Sequence, residues 1–372
     1  MAEPFKNELG EKRIKVIATH LAEHDDNFDE SAFLNQALSN LDDLGLMERN
    51  RQIVEAMNTF LPSDFVQAKA IIVNALAPIE QQVDHKGIHS WLAVPMAEFL
   101  GRHGTGHLSE AMDGLAKATP LFSSEWGIRH LIDHDQNAAL KQLHEWTEHT
   151  DEHVRRLVSE GSRPRLPWGF QLKAFIEDPE LTFPLLEKLK DDPSDYVRLS
   201  VSNHLNDISK DHPDYLQQKL TEWLKPEDQK RTRLIKHACR TLIKQGHQPT
   251  LEMLGFKPFD VEGVKLIIDN PELTYGESLK FMTVFTSSDK NPNADVIVDY
   301  AIHFKKANGS NSAKVFKWKV GKLNKQGGFN AKKSHAIKPI TTRKYYNGDH
   351  QLEVFVNGKS IAIMPFTLAG VD

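Results

Sequence analysis

Apolar residues recur with a helical period through roughly the first 250 residues of the chain. In the segment 195–208, Val197, Val201, Leu205 and Ile208 stand at positions i, i+4, i+8 and i+11. This spacing places all four on one stripe of an α-helix, and a helix buries such a stripe against its neighbours. The helical hairpins predicted by the same pattern cover residues 138–159, 179–208 and 215–244.

A weak internal repeat accompanies the hairpins. Residues 154–157 (VRRL), 197–199 (VRL) and 232–234 (TRL) each lie near the start of a second helix, 43 and 35 residues apart. This period is typical of HEAT-like α-solenoids, in which each helix pair covers the apolar face of its neighbour. An irregular globular helical domain is the alternative. We predict the solenoid.

The pattern changes to a period of two towards the C-terminus. In Val296, Val298, Tyr300, Ile302 and Phe304 every second residue is large and apolar, which is typical of a strand with one buried face. The dipeptide at 357–358, Asn-Gly, is a strong signal for a two-residue hairpin turn. Six short strands are predicted at 279–286, 296–304, 315–320, 336–342, 351–356 and 360–365. Six or seven strands in this length favour an immunoglobulin-like sandwich.

These patterns divide the chain into three parts. Residues 1–260 are predicted to form the helical-repeat catalytic domain, and residues 275–372 the β-sandwich domain. Between them, the prolines and glycines around residues 261–274 predict a linker.

Charge is distributed unevenly between these parts. The 372 residues carry a net charge of −5, but residues 275–372 hold 15 Lys and Arg against 7 Asp and Glu, a net charge of +8. The remaining 31 basic and 44 acidic residues give −13. A basic domain fits a phosphate-rich partner such as nucleic acid, and equally fits a surface charged for solubility.

Several classes of protein are excluded or disfavoured. The apolar runs fall far short of the ~18 residues that a membrane-spanning helix requires, and Cys239 is the only cysteine, so we expect no membrane association and a cytoplasmic location. His144 and His149 are five residues apart, on different sides of a helix, which argues against zinc. Nucleotide-binding and nucleophile-elbow motifs are missing as well. We therefore expect neither a metal nor an organic cofactor.

The densest polar cluster lies between residues 126 and 207. Helix 195–208 carries a second stripe of short polar side chains, formed by Ser200, Asn203, His204 and Asp207. Upstream, the segment 163–168 (RPRLPW) places two arginines and an indole on a loop stiffened by proline. Such a loop could face phosphates and a nucleobase. A capped solenoid loop, a core tryptophan and an ion pair between residues 156 and 160 are the structural alternatives.

Three segments of this cluster carry a resemblance to a known family. Residues 124–129 (SEWGIR), 160–168 (EGSRPRLPW) and 197–207 (VRLSVSNHLND) resemble the HEAT-like DNA alkylation repair glycosylases. An acidic solenoid followed by a basic sandwich is similar to the AlkC branch, whereas the sister AlkD branch is a bare solenoid. The resemblance covers almost the whole chain, and segment 163–168 is its most specific part.

The resemblance implies hydrolysis of the N-glycosidic bond of cationic alkylated bases in DNA, namely 3-methyladenine, 3-methylcytosine and 1-methyladenine. Such bases are already good leaving groups, so an anion beside the developing oxocarbenium ion and a positioned water would suffice. The partner implied is double-stranded DNA containing alkylated bases, bound by a monomer. A non-catalytic HEAT scaffold that binds nucleic acid or protein through its concave face is the alternative.

The matched segments supply the candidate site residues. The catalytic candidates are the acids Glu125, Glu160 and Asp207, each of which also has a structural alternative: the dipole of a helix start, an ion pair with Arg156, or a cap. The DNA-binding candidates are Trp126, Arg129, Arg155, Arg163, Arg165, Trp168, Arg198, Asn203, His204 and, in the basic domain, Lys338.

Overall fold

The computed structural model describes residues 5–82, 91–288, 292–341 and 343–371. Within these ranges the chain forms two compact units. The first unit contains the residues up to Asp211 together with Asp228–Ala238. The second contains His212–Glu227 and the chain from Cys239 onward.

The first unit is helical. It begins with a 3₁₀ turn at Phe5–Leu9, and further 3₁₀ turns lie at Leu41–Asp43 and Pro179–Leu181. Its α-helices are α1 (Glu11–Ala22), α2 (Glu30–Ala37), α3 (Leu46–Phe60), α4 (Phe65–Gln82), α5 (Ala93–His103), α6 (Leu108–Ala118), α7 (Gly127–His134), α8 (Gln136–Trp146), α9 (Glu152–Gly161), α10 (Lys173–Glu177), α11 (Phe183–Leu189) and α12 (Asp195–Asp211). Residues 212–227 then belong to the second unit, and the chain returns to the first unit with α14 (Gln229–Ala238).

Successive hairpins stack as the periodicity predicts. Helix α12 packs directly against α9 on one side and α14 on the other, and its stripe Val197, Val201, Leu205 and Ile208 is buried. The HEAT-like solenoid is therefore confirmed. Burial of one apolar stripe per helix is what holds such a stack together.

Two arginines bind the loop between α11 and α12 to its neighbours in the stack. Arg155 of α9 forms a two-pronged ion pair with Asp192, at 2.7 and 3.1 Å. Arg231 of α14 forms a matching pair with the adjacent Asp191, at 2.7 and 2.8 Å. The arginines near these helix starts therefore connect one repeat to the next.

The second unit combines short helices with the C-terminal strands. Its helices are α13 (Pro213–Trp223), α15 (Arg240–Gln245) and α16 (Gln248–Met253). Its strands are β1 (Val261–Ile268), β2 (Glu272–Thr274), β3 (Ser278–Ser287), β4 (Asp295–Lys305), β5 (Asn311–Lys322), β6 (Gly328–Ala336), β7 (Gly348–Val356) and β8 (Lys359–Ala369).

The strands form the predicted immunoglobulin-like sandwich. One sheet has the order β1-β3-β6 and the other β2-β8-β7-β4-β5. The alternating residues Val296, Val298, Tyr300, Ile302 and Phe304 are all buried in the core between the sheets. The hairpin between β7 and β8 turns at residues 357–358, both with positive φ (44° and 81°), as the sequence predicts.

Three predictions about the C-terminal region are wrong. Residues 261–274 are not a linker, because β1 pairs with β3 and β2 pairs with β8. The strand predicted at 336–342 lies earlier in the chain, because β6 covers Gly328–Ala336. Position 342 lies outside the described residues. The first unit also does not continue to residue 260: the last helix, α16, ends at Met253 and belongs to the second unit, where Leu251 and Phe256 pack against Ile297 of β4.

The helices described are all too short or too polar to span a membrane.

Candidate active site

A pocket opens in the first unit where the turn before α7, the start of α9, the loop after α9 and the start of α12 meet. Aromatic side chains form a large part of its wall, and four of them follow one another as near neighbours. Their ring centroids are 4.8 Å apart for Trp91 and Phe122, 6.2 Å for Phe122 and Trp126, and 6.2 Å for Trp126 and Trp168. The polar lining includes Glu125.

Glu125 is placed by close backbone packing. It lies in the turn that leads into α7, and α7 begins at Gly127. A Cβ atom on Gly127 would lie 2.3 Å from the carbonyl oxygen of Ala97 in α5, so only glycine permits this approach. The carboxylate of Glu125 is thereby held at the pocket wall, with 16% of its side chain exposed.

The contacts of Glu125, which lines the pocket, involve only one of its two carboxylate oxygens. Its Oε2 accepts hydrogen bonds from Ser123 Oγ at 2.8 Å and from Arg156 Nη1 at 2.9 Å. Among the described residues, none donates to Oε1, and this atom is not enclosed in the protein. Glu125 can therefore present one anionic oxygen to a bound molecule.

A chain of ion pairs links Glu125 to the other two acids. Arg156 also lies 3.6 Å from Glu160. The guanidinium of Arg163 then donates to Glu160 at 2.6 Å and to Asp207 at 2.8 Å. The fold thus brings the three acids together, but only Glu125 lines the pocket; Glu160 and Asp207 are 5% and 1% exposed and lie behind the arginines.

Arg156 sits at the centre of this charged cluster. Burial acts to lower its pKa, but the negative charges of Glu160 and Glu125 outweigh burial and raise it. The guanidinium also lies over the ring of Tyr196, 4.8 Å from its centroid. The site therefore alternates negative and positive groups, with an aromatic ring closing one side.

The loop after α9 is anchored by Arg129 of α7. Arg129 is fully buried and donates to the carbonyl oxygens of Gly161 (2.9 Å), Arg163 (2.6 Å) and Phe170 (3.0 Å). Burial lowers its pKa to about 10. Because its donors are used inside the protein, the prediction that Arg129 contacts DNA phosphates does not fit this structure.

The same loop holds Trp168 out towards solvent. Trp168 is 60% exposed and has φ of +63°, an uncommon conformation for a bulky residue. In contrast, Trp126 is buried, and its indole N–H donates to the carbonyl oxygen of Pro167 at 3.3 Å. Backbone strain at an exposed indole beside a pocket is characteristic of a binding position.

The other predicted arginines are also occupied by partners in the protein. Arg155 is bound to Asp192, Arg198 pairs with Asp195, and Arg163 lies between two acids. Arg165 is the most exposed, yet it forms a two-pronged pair with Asp211 at 2.8 and 2.9 Å. These arginines lie near the site, but their charges are balanced within the fold.

The remaining predicted DNA-binding residues are scattered. His204 is fully buried: its Nδ1–H donates to the carbonyl oxygen of Ser159 at 2.9 Å, Thr182 lies 3.2 Å from Nε2, and burial lowers its pKa to about 4. A neutral, enclosed imidazole cannot contact DNA. Asn203 is half-buried on α12, and Lys338 is exposed after β6 in the second unit.

Sequence reasoning missed part of the pocket lining. Arg156 was considered only as an ion-pair partner of Glu160, and His153 and Tyr196 were not singled out. The signal was present in the repeat, because residues 153 and 156 of α9 and residue 196 of α12 take positions on one side of the stacked helices.

In the part of the chain that the structure describes, no group of three or more His, Cys, Asp or Glu side chains is placed to share a metal ion. The chemistry available at the pocket is that of a carboxylate, a guanidinium and aromatic faces.

Fold and site together define a class of protein: a helical-repeat unit with an anionic, aromatic pocket, joined in one chain to an immunoglobulin-like sandwich. Comparison with known proteins agrees. Residues 123–242 match the family described as DNA alkylation repair enzyme, and residues 262–370 match the C-terminal Ig-like domain of the uncharacterised protein YhaZ.

Two relatives extend over nearly the whole chain. The uncharacterized protein YhaZ of Bacillus subtilis (strain 168) is 35% identical over 357 residues, which cover 95% of this chain and 96% of that protein. The Pseudomonas fluorescens alkylpurine DNA glycosylase AlkC, solved bound to DNA containing an abasic site analog, is 32% identical with a TM-score of 0.89, covering 99% of this chain and 100% of that one. The chain belongs to the DNA alkylation repair enzyme family, in the AlkC-like branch with a C-terminal Ig-like domain.

Proposed function

We propose that this protein is a DNA glycosylase that removes alkylated bases by hydrolysing their N-glycosidic bonds. The observation that carries the proposal is the carboxylate of Glu125, which lines an aromatic pocket and whose Oε1 accepts no hydrogen bond from the described residues. The likeness to the alkylpurine glycosylase AlkC over the full chain supports the same activity.

The chemistry requires little from the protein. An alkylated base that carries a positive charge leaves as a neutral molecule when the N-glycosidic bond breaks and the bonding electrons pass to the base. Positive charge then develops on the deoxyribose, where the carboxylate of Glu125 stabilises it electrostatically. Water adds to the sugar carbon and loses a proton, which completes the hydrolysis.

The aromatic wall suits the sugar and base around this anion. Trp126, Trp168 and Tyr196 line the pocket together with Glu125, and the ring of Tyr196 lies under the guanidinium of Arg156. An electron-rich aromatic face attracts a cation, so the wall favours a cationic lesion over a neutral base. This preference is consistent with the bases that the family resemblance implies, and the substrates proposed are therefore 3-methyladenine, 3-methylcytosine and 1-methyladenine in double-stranded DNA.

Glu160 and Asp207 are proposed to act indirectly, through the arginines that they bind. Glu160 accepts from Ser200 Oγ at 2.7 Å and from Arg163, while Asp207 accepts from Arg163 and Lys210. Their charges balance the arginines, which in turn position Glu125 and the loop after α9. A scaffold without catalysis would gain nothing from this arrangement around an open carboxylate oxygen.

Base release from methylated DNA tests the proposal. Purified protein is incubated with duplex DNA treated with a methylating agent, and the released bases are separated by chromatography, with unmethylated duplex as the control. Release of 3-methyladenine from the methylated duplex is the expected result. If the protein bound the duplex but released no alkylated base, the result would contradict the glycosylase activity and favour a non-catalytic scaffold.

A further inference from the structure

Phosphate binding needs cations that the fold has not already neutralised. The arginines nearest the pocket are paired with Asp192, Asp195, Asp207 and Asp211 or are enclosed in the core. If the proposed function holds, any contact between the first unit and DNA phosphates needs cations other than these arginines.

Helix α14 and the residues that follow it carry such cations. From residue 229 to residue 251 the chain contains six Lys and Arg and no Asp or Glu. On α14, Lys230, Arg233 and Lys236 are exposed. The carboxylate of Asp228 accepts a hydrogen bond from the backbone N–H of Arg231 at 2.7 Å, as a helix cap.

The repeat shows which way these side chains lie. Each of the three stacked helices buries a pair of neighbouring residues: 157–158 in α9, 200–201 in α12 and 234–235 in α14. The residue immediately before each pair is Arg156, Leu199 or Arg233, so burial shifts the match between α12 and α14 by one residue from the 35-residue spacing of the sequence repeat. Three residues earlier stand His153, Tyr196 and Lys230 in the same helices. Positions that match in the repeat take the same side of the stack.

In α9 and α12 that side is the pocket side. His153, Arg156 and Tyr196 line the pocket, and Leu199 is 51% exposed next to it. Lys230 and Arg233 therefore continue the pocket-bearing surface onto α14. Along this surface the pocket at α9 is followed by an aromatic and an apolar side chain on α12 and by two cations on α14.

We propose that Lys230 and Arg233 of α14 bind the DNA phosphate backbone some distance from the lesion. Packed helix axes lie about 8–10 Å apart, so α14 lies roughly 16–20 Å from α9. Since DNA rises about 3.4 Å per nucleotide, this span corresponds to about five or six base pairs. The surface thus holds the duplex on one side of the damaged nucleotide. The inference rests on the proposed function, which makes DNA the partner.

The first test is the salt dependence of binding. Binding of a duplex with an abasic-site analog, and of an undamaged duplex, is measured over a salt series for the full chain and for the double variant Lys230→Gln/Arg233→Gln. The control is Lys12→Gln/Lys141→Gln, which removes the same charge from exposed positions on α1 and α8. Each lost phosphate contact reduces the slope of log affinity against log salt by about 0.9, so the variant should lose about 1.8 and bind both duplexes more weakly by tens of fold near 0.1 M salt. The control should match the wild type.

The second test is the length of the duplex. Probes are shortened to about three base pairs beyond the abasic-site analog, on one side or the other. One of the two truncations should weaken wild-type binding while leaving the α14 variant unaffected, because the variant has already lost that contact. Equal effects of both truncations on both proteins, or equal salt slopes for variant and wild type, would overturn the proposal.

The two levels of inference fail in different ways. A wild type that releases alkylated bases but shares its salt slope with the α14 variant overturns the α14 contact alone. A wild type that releases no base while the variant still loses slope overturns the glycosylase alone.

Discussion

Replacing Arg129 by methionine distinguishes a loop anchor from a DNA ligand. Arg129→Met keeps an unbranched side chain of similar length but removes the donors to Gly161, Arg163 and Phe170. Two of these bonds are buried, and a buried carbonyl left without a partner costs about 1–3 kcal/mol. With a smaller loss at the partly exposed Phe170, the unfolding free energy of the first unit should fall by roughly 3–5 kcal/mol.

The expected consequences can be measured in the same protein. A domain of this size loses about 2–4 °C in Tm per kcal/mol of lost stability, so the Tm of the first unit should fall by roughly 6–20 °C. Circular dichroism at 222 nm measures this Tm. Base release should also fall, because the loop that carries Trp168 loses its anchor. The slope of log DNA affinity against log salt should not change.

Arg165→Met is the matched control. Arg165 lies on the same loop, but its pair with Asp211 is partly exposed, and such pairs contribute about 0–1 kcal/mol. Its Tm should stay close to that of the wild type. If Arg129→Met instead unfolded at the wild-type temperature and reduced the salt slope by about one, Arg129 would be a phosphate ligand and the reasoning from its contacts would be refuted.

Three further predictions concern pH, a turn and the domain boundary. Burial lowers the pKa of His204 to about 4, below the 6.5 of an exposed histidine, so between these pH values the unfolded chain binds more protons than the folded chain. Stability should therefore decline as the pH falls from 6.5 to 4, and His204→Gln should flatten this part of the curve of Tm against pH. Asn357→Ala should lower the Tm of the second unit, because the Asn357 side chain accepts a hydrogen bond from Ile297 N–H at 2.8 Å and the backbone at this residue has φ of +44°. Asn357→Gly removes the same hydrogen bond and relieves only the strain of the positive φ, so its Tm should also be lower than that of the wild type. A chain ending before Tyr275 should aggregate in gel filtration, because β1 loses β3; a well-folded monomer would contradict the sheet assignment.

Period and spacing were sufficient to predict the fold where each element buries one regular stripe. Helix α12 shows this well, since its four predicted stripe residues are all buried. Strand β1 shows the limit. A bulge between Glu262 and Lys265, with Gly263 at φ of +62°, interrupts its alternation, so its sequence resembles a linker rather than a strand. Strand β6 was misplaced because its alternation rests mainly on Phe329 and Ala331.

The site was less predictable because the function of an arginine depends on partners that are distant in sequence. Arg129 contacts carbonyl groups 32 to 41 residues away, and Arg163 meets Asp207 44 residues away. Residue type and position near a helix start cannot distinguish such an anchor from a phosphate ligand. The acids were easier to select, because the segments that resemble the glycosylase family contained them, and the fold links them through Arg156 and Arg163.

The most direct test of the central claim is the single-turnover rate of 3-methyladenine release by the wild type and by Glu125→Gln, with Glu177→Gln as an exposed control. Glutamine keeps the volume and removes the anion, so release should slow by on the order of 10²-fold while Tm and DNA affinity stay near wild type. The control should turn over at the wild-type rate. A Glu125→Gln protein that releases 3-methyladenine as fast as the wild type would contradict the assignment of this pocket as the catalytic centre.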